Sequence, residues 1–333
     1  MTNMPLPRSD ETPPLHDCLR RYCRIQYGEV WEDPDGRHRI GCLDAASGRD
    51  VRRLMDGEKS ALAAHDPPYN LVAFGKREIG DSIDWCRDWI ANTETALDED
   101  GSLYVWMGAD QNAGFQPLPD FMITMRDTPF RPRSFLTVRN QRGYGTQKNW
   151  MAVRQELLYY VKGNPLFQVE AEYTDIPKVL RGYYKEIGGV LTENLERSKA
   201  NGIRAGNVWV DIQQVFYRME ENVNGCYAQK PLKSCDRILR SSSEEGDTVV
   251  DFFCHSGSTL LAAERLGRRC FTMDIEPIYC EIAIRRLERY RLTGRTGWQN
   301  SNPFEKEILQ DSRLQELTGC RSEASETQQL ALI

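Results

Sequence analysis

Short apolar runs of strand length alternate along the chain with longer segments in which apolar residues recur at helical spacing. The apolar runs predict strands at residues 38–43, 61–65, 103–107, 248–253 and 270–275. The amphipathic segments predict helices at residues 83–97, 232–241, 259–266 and 277–290. This alternation predicts an α/β fold with a mostly parallel twisted sheet and helices on both faces. In such sheets, ligands bind at the carboxyl ends of the strands.

The alternation stops between about residues 108 and 227. This stretch is richer in basic, aromatic, glycine and asparagine residues, and its extended pieces include residues 135–138 and 208–212. We interpret it as an insertion or second lobe that handles the substrate. Residues 299–333 are polar, and we expect them to form a loosely attached tail.

The composition indicates a globular protein. With 333 residues, 40% of them hydrophobic, the chain can bury an α/β core together with a second lobe. It has no run of 18 apolar residues and no apolar segment at the N-terminus, so we expect a soluble, cytoplasmic protein without a membrane partner. The ten cysteines form no CxxC pair. We therefore expect reduced thiols and no metal site.

Charge is distributed unevenly along the chain, so the net charge alone does not indicate which partners the protein can bind. A net charge of −6 argues against a nucleic-acid partner, because phosphate neutralisation dominates affinity for DNA. Between residues 121 and 162, however, the sequence contains eight basic and only two acidic residues, a local net charge of +6, with aromatic residues between them. This basic stripe favours a nucleic-acid contact, and the alternative is an ordinary solvated charged face.

The first candidate for chemistry is Asp66-Pro67-Pro68-Tyr69, which directly follows the strand predicted at residues 61–65. Two prolines cannot extend a central strand, so they form a rigid exit at the carboxyl edge of the sheet. Asp66 and a proline carbonyl can accept hydrogen bonds from an amine, and the Tyr69 ring can stack on a planar base. The alternative is a plain surface turn.

These groups suit a base whose exocyclic amine must act as a nucleophile. The lone pair of such an amine is delocalised into the ring, and two acceptors on its hydrogens favour a tetrahedral nitrogen aimed at a sulfonium methyl group. No covalent protein intermediate is needed.

The second candidate lies far downstream, where residues 248–260 predict a strand, a tight turn of small residues and the start of a helix. Such turns let a ligand approach the backbone and point helix N–H groups at it. Asp274 ends the next predicted strand about 20 residues later, the usual place of a partner for ribose hydroxyls. The alternative for Asp274 is an N-cap of the following helix.

In this order the motifs resemble those of the beta-class DNA amino-methyltransferases. That family has an Asp-Pro-Pro-Tyr motif early, a target-recognition region next and a Phe-x-Gly-x-Gly cofactor motif late. Further similarities lie at residues 140–145, 154–162, 206–212 and 228–231, so the resemblance covers about residues 38–290.

The resemblance implies a Rossmann-like methyltransferase fold with circularly permuted motif order, S-adenosylmethionine as cofactor and double-stranded DNA as substrate. Residues 1–37 would be an N-terminal extension and 297–333 a C-terminal tail. Residues 38–110 and 228–296 would form the catalytic and cofactor-binding halves, and 111–227 an inserted target-recognition region. The expected location is the nucleoid of a prokaryotic or phage-infected cell.

Three groups of site residues follow from the resemblance. The flipped base would be held by Asp66, Pro67, Pro68 and Tyr69. The cofactor would be bordered by Asp44, Asp66, Lys230, Phe253, Cys254, Ser256, Gly257, Ser258, Thr259 and Asp274. DNA would be contacted by Arg139, Asn140, Arg142, Lys148 and Arg154.

The implied reaction is methylation of adenine N6, because Asp-Pro-Pro-Tyr followed by Asn70 is similar to adenine members of the family, whereas cytosine-N4 members more often begin with serine. Cytosine-N4 methylation stays open. So does a regulatory protein with a decayed active site, because His255 replaces the first glycine of the cofactor motif.

We expect His255 to be a structural histidine in a turn that accommodates a Cβ atom. Whether Asp44 reaches the cofactor also stays open, because the family's Gly-Asp-Cys strand end appears here as residues 41–44 in a different order. The resemblance is compatible with a homodimer and with a cognate restriction endonuclease acting on the same site.

Overall fold

The computed structural model of the protein describes residues 6–7, 12–68, 79–108, 117–144, 150, 152–177, 183–194 and 201–319. The strands are β1 (Val30–Glu32), β2 (His38–Cys42), β3 (Ser60–His65), β4 (Leu97–Met107), β5 (Arg131–Tyr144), β6 (Ala152–Lys162), β7 (Tyr173–Pro177), β8 (Tyr183–Ile187), β9 (Val190–Asn194), β10 (Gly202–Arg204), β11 (Val208–Trp209), β12 (Thr248–Asp251) and β13 (Arg269–Asp274). The α-helices are α1 (Pro13–Arg20), α2 (Gly48–Met55), α3 (Ile79–Ala96), α4 (Leu118–Thr124), α5 (Leu232–Ser242), α6 (Ser258–Arg265), α7 (Pro277–Thr293), α8 (Glu305–Gln310) and α9 (Ser312–Thr318).

One nine-stranded sheet organises the described residues, in the order β1-β2-β13-β12-β3-β4-β6-β5-β11. The strands from β2 to β4 in this order pair in parallel, so two late strands lie between two early ones. The carboxyl ends of these early and late strands therefore lie at the same edge of the sheet. This topology confirms the predicted mostly parallel, Rossmann-like fold.

Helices cover both faces of the sheet and divide its core into two apolar layers. On one face, Ile238 of α5, Leu260 of α6 and Ala283 of α7 pack against the strands. On the other face, the helices α2, α3 and α4 contribute, with Trp89 of α3 fully buried. Every residue of β12 is buried, and its two central residues, Val249 and Val250, are both apolar because they belong to the core layers on opposite faces of the sheet.

Strands β5 and β6 lie within the segment 111–227, which we expected to form an insertion or second lobe. Both belong to the main sheet, because β6 pairs antiparallel with β4 and β5 pairs antiparallel with β6. The remaining described part of the segment carries two small sheets, β7 with β10 and β8 with β9.

The C-terminal residues pack more closely than we expected from their polar composition. Phe304, Ile308 and Leu314 are fully buried in a third apolar cluster together with Leu15 and Leu19 of α1. The prediction of a loosely attached tail is therefore wrong for α8 and α9. Their buried apolar residues, Ile308 and Leu314, share a cluster with the N-terminal helix, a contact that average composition does not reveal.

Among the described residues, none of the helices combines the length and apolar character that crossing a membrane requires. In the same part of the chain, no group of three or more histidine, cysteine or acidic side chains is arranged to hold a metal ion. The described cysteines are free thiols.

The packing of α8 predicts a large loss of stability when its anchor is removed. Phe304→Ala should lower the free energy of unfolding by about 3–5 kcal/mol, because it leaves a cavity in the third apolar cluster. Urea-induced unfolding followed by circular dichroism measures this change. Leu309→Ala on the same helix is the control, since Leu309 is 49% exposed. Equal effects of the two substitutions would contradict the packing described here.

Candidate active site

Parallel pairing of β3 with β12 brings the two sequence motifs together. Val250 of β12 lies opposite Ala63 of β3, so both strands end at the same edge of the sheet. There Asp66 and the bend at residues 253–257 border one narrow cleft. Its lining comprises Ala64, Asp66, Trp106, Lys230, Cys235, Asp251, Phe253, Cys254, His255, Ser256, Ser258 and Thr259. Among the residues predicted at the cofactor, Gly257, Asp274 and Asp44 are not part of this lining.

Asp66 is held at the edge of this cleft by an ion pair. Lys230 Nζ donates to Asp66 Oδ2 at 2.7 Å, and both side chains are largely buried. The other oxygen, Oδ1, is buried and has no hydrogen-bond partner within the described residues. Burial raises the pKa of Asp66, and the charge of Lys230 opposes this rise. The result is a carboxylate with one oxygen paired and one open acceptor.

Pro67 is buried and Pro68 half-buried directly after Asp66, consistent with the rigid strand exit that the sequence predicts. Tyr69, predicted to stack on the base, lies outside the described residues.

His65 is a supporting residue that the sequence analysis did not select. Its ring is fully buried and stacks on Phe252 with ring centroids 4.8 Å apart. The backbone N–H of Phe252 donates to Nδ1 at 3.2 Å, which assigns the proton to Nε2, and Nε2 lies 3.0 Å from Thr93 Oγ1. Burial lowers the pKa of His65, so the ring is neutral. It links the end of β3 to the end of β12 immediately beside Asp66.

The bend after β12 uses backbone conformations that favour glycine. Gly257 has φ +71°, and an added Cβ atom would lie 3.0 Å from the Cβ of Ala283. His255, which stands in place of a glycine, has φ +44°. The turn therefore keeps the left-handed conformation despite the side chain. The ring of His255 packs edge-on against Tyr279, with centroids 4.8 Å apart.

Asp274 supports this bend from the neighbouring strand. Its Oδ2 accepts the backbone N–H of His255 at 2.9 Å, and its Oδ1 accepts that of Glu276 at 3.0 Å. Burial raises the pKa of Asp274 to about 7. Asp44 follows β2 and accepts the N–H of Ala46 with Oδ1 at 2.9 Å. The structure thus gives both predicted cofactor residues a role in shaping turns at the carboxyl edge.

Arg286 of α7 is a second residue that the sequence analysis missed. Only 1% of it is exposed, and Nη1 donates to the carbonyl oxygen of Ser256 at 2.8 Å and to Ser258 Oγ at 3.2 Å. The same guanidinium donates to the carbonyl oxygens of Thr296 and Glu221, at 2.6 and 3.1 Å. Burial lowers the pKa of Arg286 to about 10. This buried cation holds the bend at residues 253–257 against the segment that precedes α5.

The predicted DNA-contacting residues occupy the hairpin of β5 and β6. Glu156 lies opposite Met107, the last residue of β4, so the hairpin continues beyond the carboxyl edge of the parallel strands. Arg139 and Arg154 face each other across the hairpin beyond that point, and both are exposed. Arg154 Nε also lies 3.3 Å from Glu156 Oε1.

The other three predicted DNA contacts are less fully described. Asn140 and Arg142 lie in β5, but their side chains are outside the described residues, and so is the whole of Lys148.

Comparison with known proteins adds independent findings. A profile of the family described as DNA methylase, N6_N4_Mtase, matches residues 61–285. The type II methyltransferase M.BamHI of Bacillus amyloliquefaciens is 28% identical over 233 residues, which cover 67% of this chain but only 51% of that protein. The DNA adenine methyltransferase YhdJ of Escherichia coli (strain K12) is 28% identical over 271 residues, covering 75% of this chain and 87% of that protein.

A solved structure supports the fold. The PvuII DNA methyltransferase (cytosine-N4-specific) superimposes with a TM-score of 0.58, covering 86% of this chain and 94% of that one at 16% identity. At this identity the likeness shows a shared fold.

The raised pKa of Asp274 predicts a specific dependence of stability on pH. In the unfolded chain this carboxyl titrates near 3.8, and in the folded protein near 7, so between these values only the folded protein keeps the proton. The contribution of Asp274 to the free energy of unfolding therefore falls as pH rises and levels off above about 7.

The variant Asp274→Asn has no such titration. Urea unfolding of both proteins between about pH 5 and 8 should show wild type losing stability relative to the variant as pH rises. A stability difference that does not change with pH would show that Asp274 is ionised throughout.

Proposed function

Because this chain belongs to the DNA methylase family, we propose that it transfers the methyl group of S-adenosylmethionine to the N6 amine of an adenine in duplex DNA. The observation that carries this proposal is the open acceptor, Asp66 Oδ1, in a cleft bordered by the 253–257 bend. An orphaned buried acceptor costs free energy unless a ligand donates to it. An exocyclic amine is such a donor.

The residues around the bend fit S-adenosylmethionine. Residues 256–258 are small, and Ser256, Ser258 and Thr259 contribute hydroxyl groups to the lining. The hydroxyl of Ser258 donates to the carbonyl oxygen of Lys230, which joins the bend to the segment that carries the Asp66 partner. The strand, bend and helix order places the N-terminus of α6 at this position. When bound, the cofactor would supply an electrophilic methyl group, and Phe253, Ser256 and Thr259 would border it.

Asp66 and its neighbours would prepare the amine for attack. Oδ1 of Asp66 accepts one amine hydrogen, and a carbonyl oxygen of the adjoining prolines can accept the other, which turns the nitrogen lone pair toward the electrophile. Lys230 orients the carboxylate through Oδ2, and its charge favours the ionised form against the effect of burial on the pKa. Since the amine is buried by pairing in a duplex, the base must leave the helix to reach this cleft.

The hairpin of β5 and β6 is our proposed contact with the DNA backbone. Arg139 and Arg154 project past the same edge of the sheet at which Asp66 lies, and both are exposed. Their charge is located where a duplex must approach if one of its bases enters the cleft.

Adenine is proposed over cytosine on two grounds. The acidic first position of the motif, Asp66, is similar to adenine members of the family, and one relative is named as an adenine methyltransferase. Cytosine N4 is the second candidate, because the PvuII enzyme shares the fold. Nucleoside analysis of DNA methylated by the purified protein separates the two, and N4-methylcytosine as product would overturn the adenine assignment.

Asp66 itself provides the direct test of methyl transfer. Asp66→Ala should lower kcat by at least about 100-fold, because the amine loses a preorganised acceptor. The affinity for S-adenosylmethionine, measured by calorimetry, should remain largely intact. Asp84→Ala is the matched control, since that carboxylate is 80% exposed on α3. Turnover retained by the Asp66 variant would refute the assigned role.

The ion pair of Lys230 with Asp66 predicts that replacing Lys230 changes the dependence of kcat on pH. Lys230→Met removes the charge that opposes the burial-raised pKa of Asp66, so the pKa of this carboxylate rises further. The acidic limb of the kcat profile should therefore move to higher pH. Lys233→Met is the control, because Lys233 pairs with Asp175 and Asp211 instead. A lower kcat with an unchanged profile would indicate a merely structural role for Lys230.

A further inference from the structure

A second cavity, of about 320 Å³, lies on the face of the sheet that α5 covers. Strands β4, β5 and β6 form its floor, while α5 and the segments around residues 167–172 and 204–209 form its walls. It shares no lining residue with the cleft at Asp66. The cavity volume is near the lower end of the range for ligand pockets, which suits a small ligand.

Aromatic rings dominate one side of this cavity. Tyr159 stacks on Tyr104 with centroids 4.3 Å apart, and Phe167 stacks on Tyr159 at 5.9 Å. The hydroxyls of Tyr104 and Tyr159 are engaged by Ser242 and Ser102. Both tyrosines are almost fully buried, at 3 and 4% exposure, so they support the ring of Phe167 and offer little surface of their own. Phe167 remains 45% exposed at the cavity.

Positive charge is concentrated in the same lining. Arg237 is only 2% exposed and donates to both carboxylate oxygens of Asp211, at 3.1 and 2.7 Å. Its Nε is buried and has no hydrogen-bond partner within the described residues, although Glu172 Oε2 lies 3.6 Å away. A buried N–H without an acceptor costs free energy that a ligand can recover.

Two more arginines, Arg133 and Arg204, line the cavity and are exposed. In the described part of the chain, neither guanidinium has a hydrogen-bond or ion-pair partner. Glu172 is the acidic residue of the lining, and it also pairs with Arg240 at 3.0 Å. Unpaired guanidinium groups beside aromatic rings suit a ligand that combines an anion with a planar ring.

We propose that this cavity is a second nucleotide site, separate from the methyl-transfer cleft. The base would stack on the exposed ring of Phe167, which Tyr159 supports from below, and the phosphate would be bound by Arg133 and Arg204. The Nε of Arg237 would donate to an acceptor of the ligand inside the cavity. The same chemistry is present in a free mononucleotide and in a single nucleotide of bound DNA.

The test uses the full chain and deoxyadenosine 5′-monophosphate as the probe. Equilibrium dialysis in the presence of saturating S-adenosylmethionine should show saturable binding, and Asp66→Ala should not reduce it. The double variant Arg133→Ala/Arg204→Ala should weaken this binding by about tenfold or more, because charge-assisted hydrogen bonds to the phosphate are lost. Arg53→Ala is the control, since Arg53 is an exposed arginine of α2 outside the cavity.

A competing duplex oligonucleotide distinguishes the two sources of the ligand. Displacement of the probe from wild type would identify a nucleotide of bound DNA, and binding that persists would identify a free mononucleotide. The proposal is overturned if the probe does not bind, if S-adenosylmethionine or Asp66→Ala abolishes binding, or if the double arginine variant binds normally. Because methyl transfer is measured separately, failure here leaves the proposed reaction untouched.

Discussion

Parallel pairing of β3 with β12 is the contact on which the active-site cleft depends. It joins β3, which is followed directly by Asp66, to β12, which is followed by the bend at residues 253–257. His65 reinforces the junction, because its Nδ1 accepts the backbone N–H of Phe252 from the neighbouring strand. A slip of one residue in this register would turn the buried side chains of either strand to the opposite face. The apolar layers on both faces therefore determine where the acidic side chain lies.

Buried charge in this edge of the sheet is balanced in two ways. Asp66 is paired with Lys230 through one oxygen, which offsets part of the desolvation cost of the carboxylate and leaves its second oxygen as an open acceptor. Arg286 has no buried carboxylate in direct contact among its hydrogen bonds; its guanidinium is satisfied by carbonyl oxygens and a hydroxyl. The first arrangement leaves an open acceptor in the cleft, and the second fixes the shape of the bend beside it.

Helix α5 relates the cleft to the second cavity. Lys230 lies just before its first turn, Cys235 lines the cleft, and Arg237 lines the cavity. The two sites therefore share one rigid element while keeping separate linings. The cavity has aromatic rings and exposed guanidinium groups in its lining. The cleft instead has an open carboxylate oxygen and small side chains with hydroxyl groups. The ligands that we propose for the two differ accordingly.

The sequence by itself located β2, β3, β12, β13 and the helices α5, α6 and α7 to within a few residues, because strands buried on both faces appear as runs rich in apolar residues. By contrast, β4 begins at Leu97 and not at the predicted residue 103, and the sequence pattern predicts no helix at α2. It also indicated Asp66 and Asp274, since both follow such runs directly. Only the tertiary structure decided that Lys230 pairs with Asp66, 164 residues away, and that Arg286 holds the bend. It also placed β5 and β6 in the main sheet and α8 against α1. These contacts join distant parts of the chain, and a pairing between distant residues leaves no periodic signal in either local sequence.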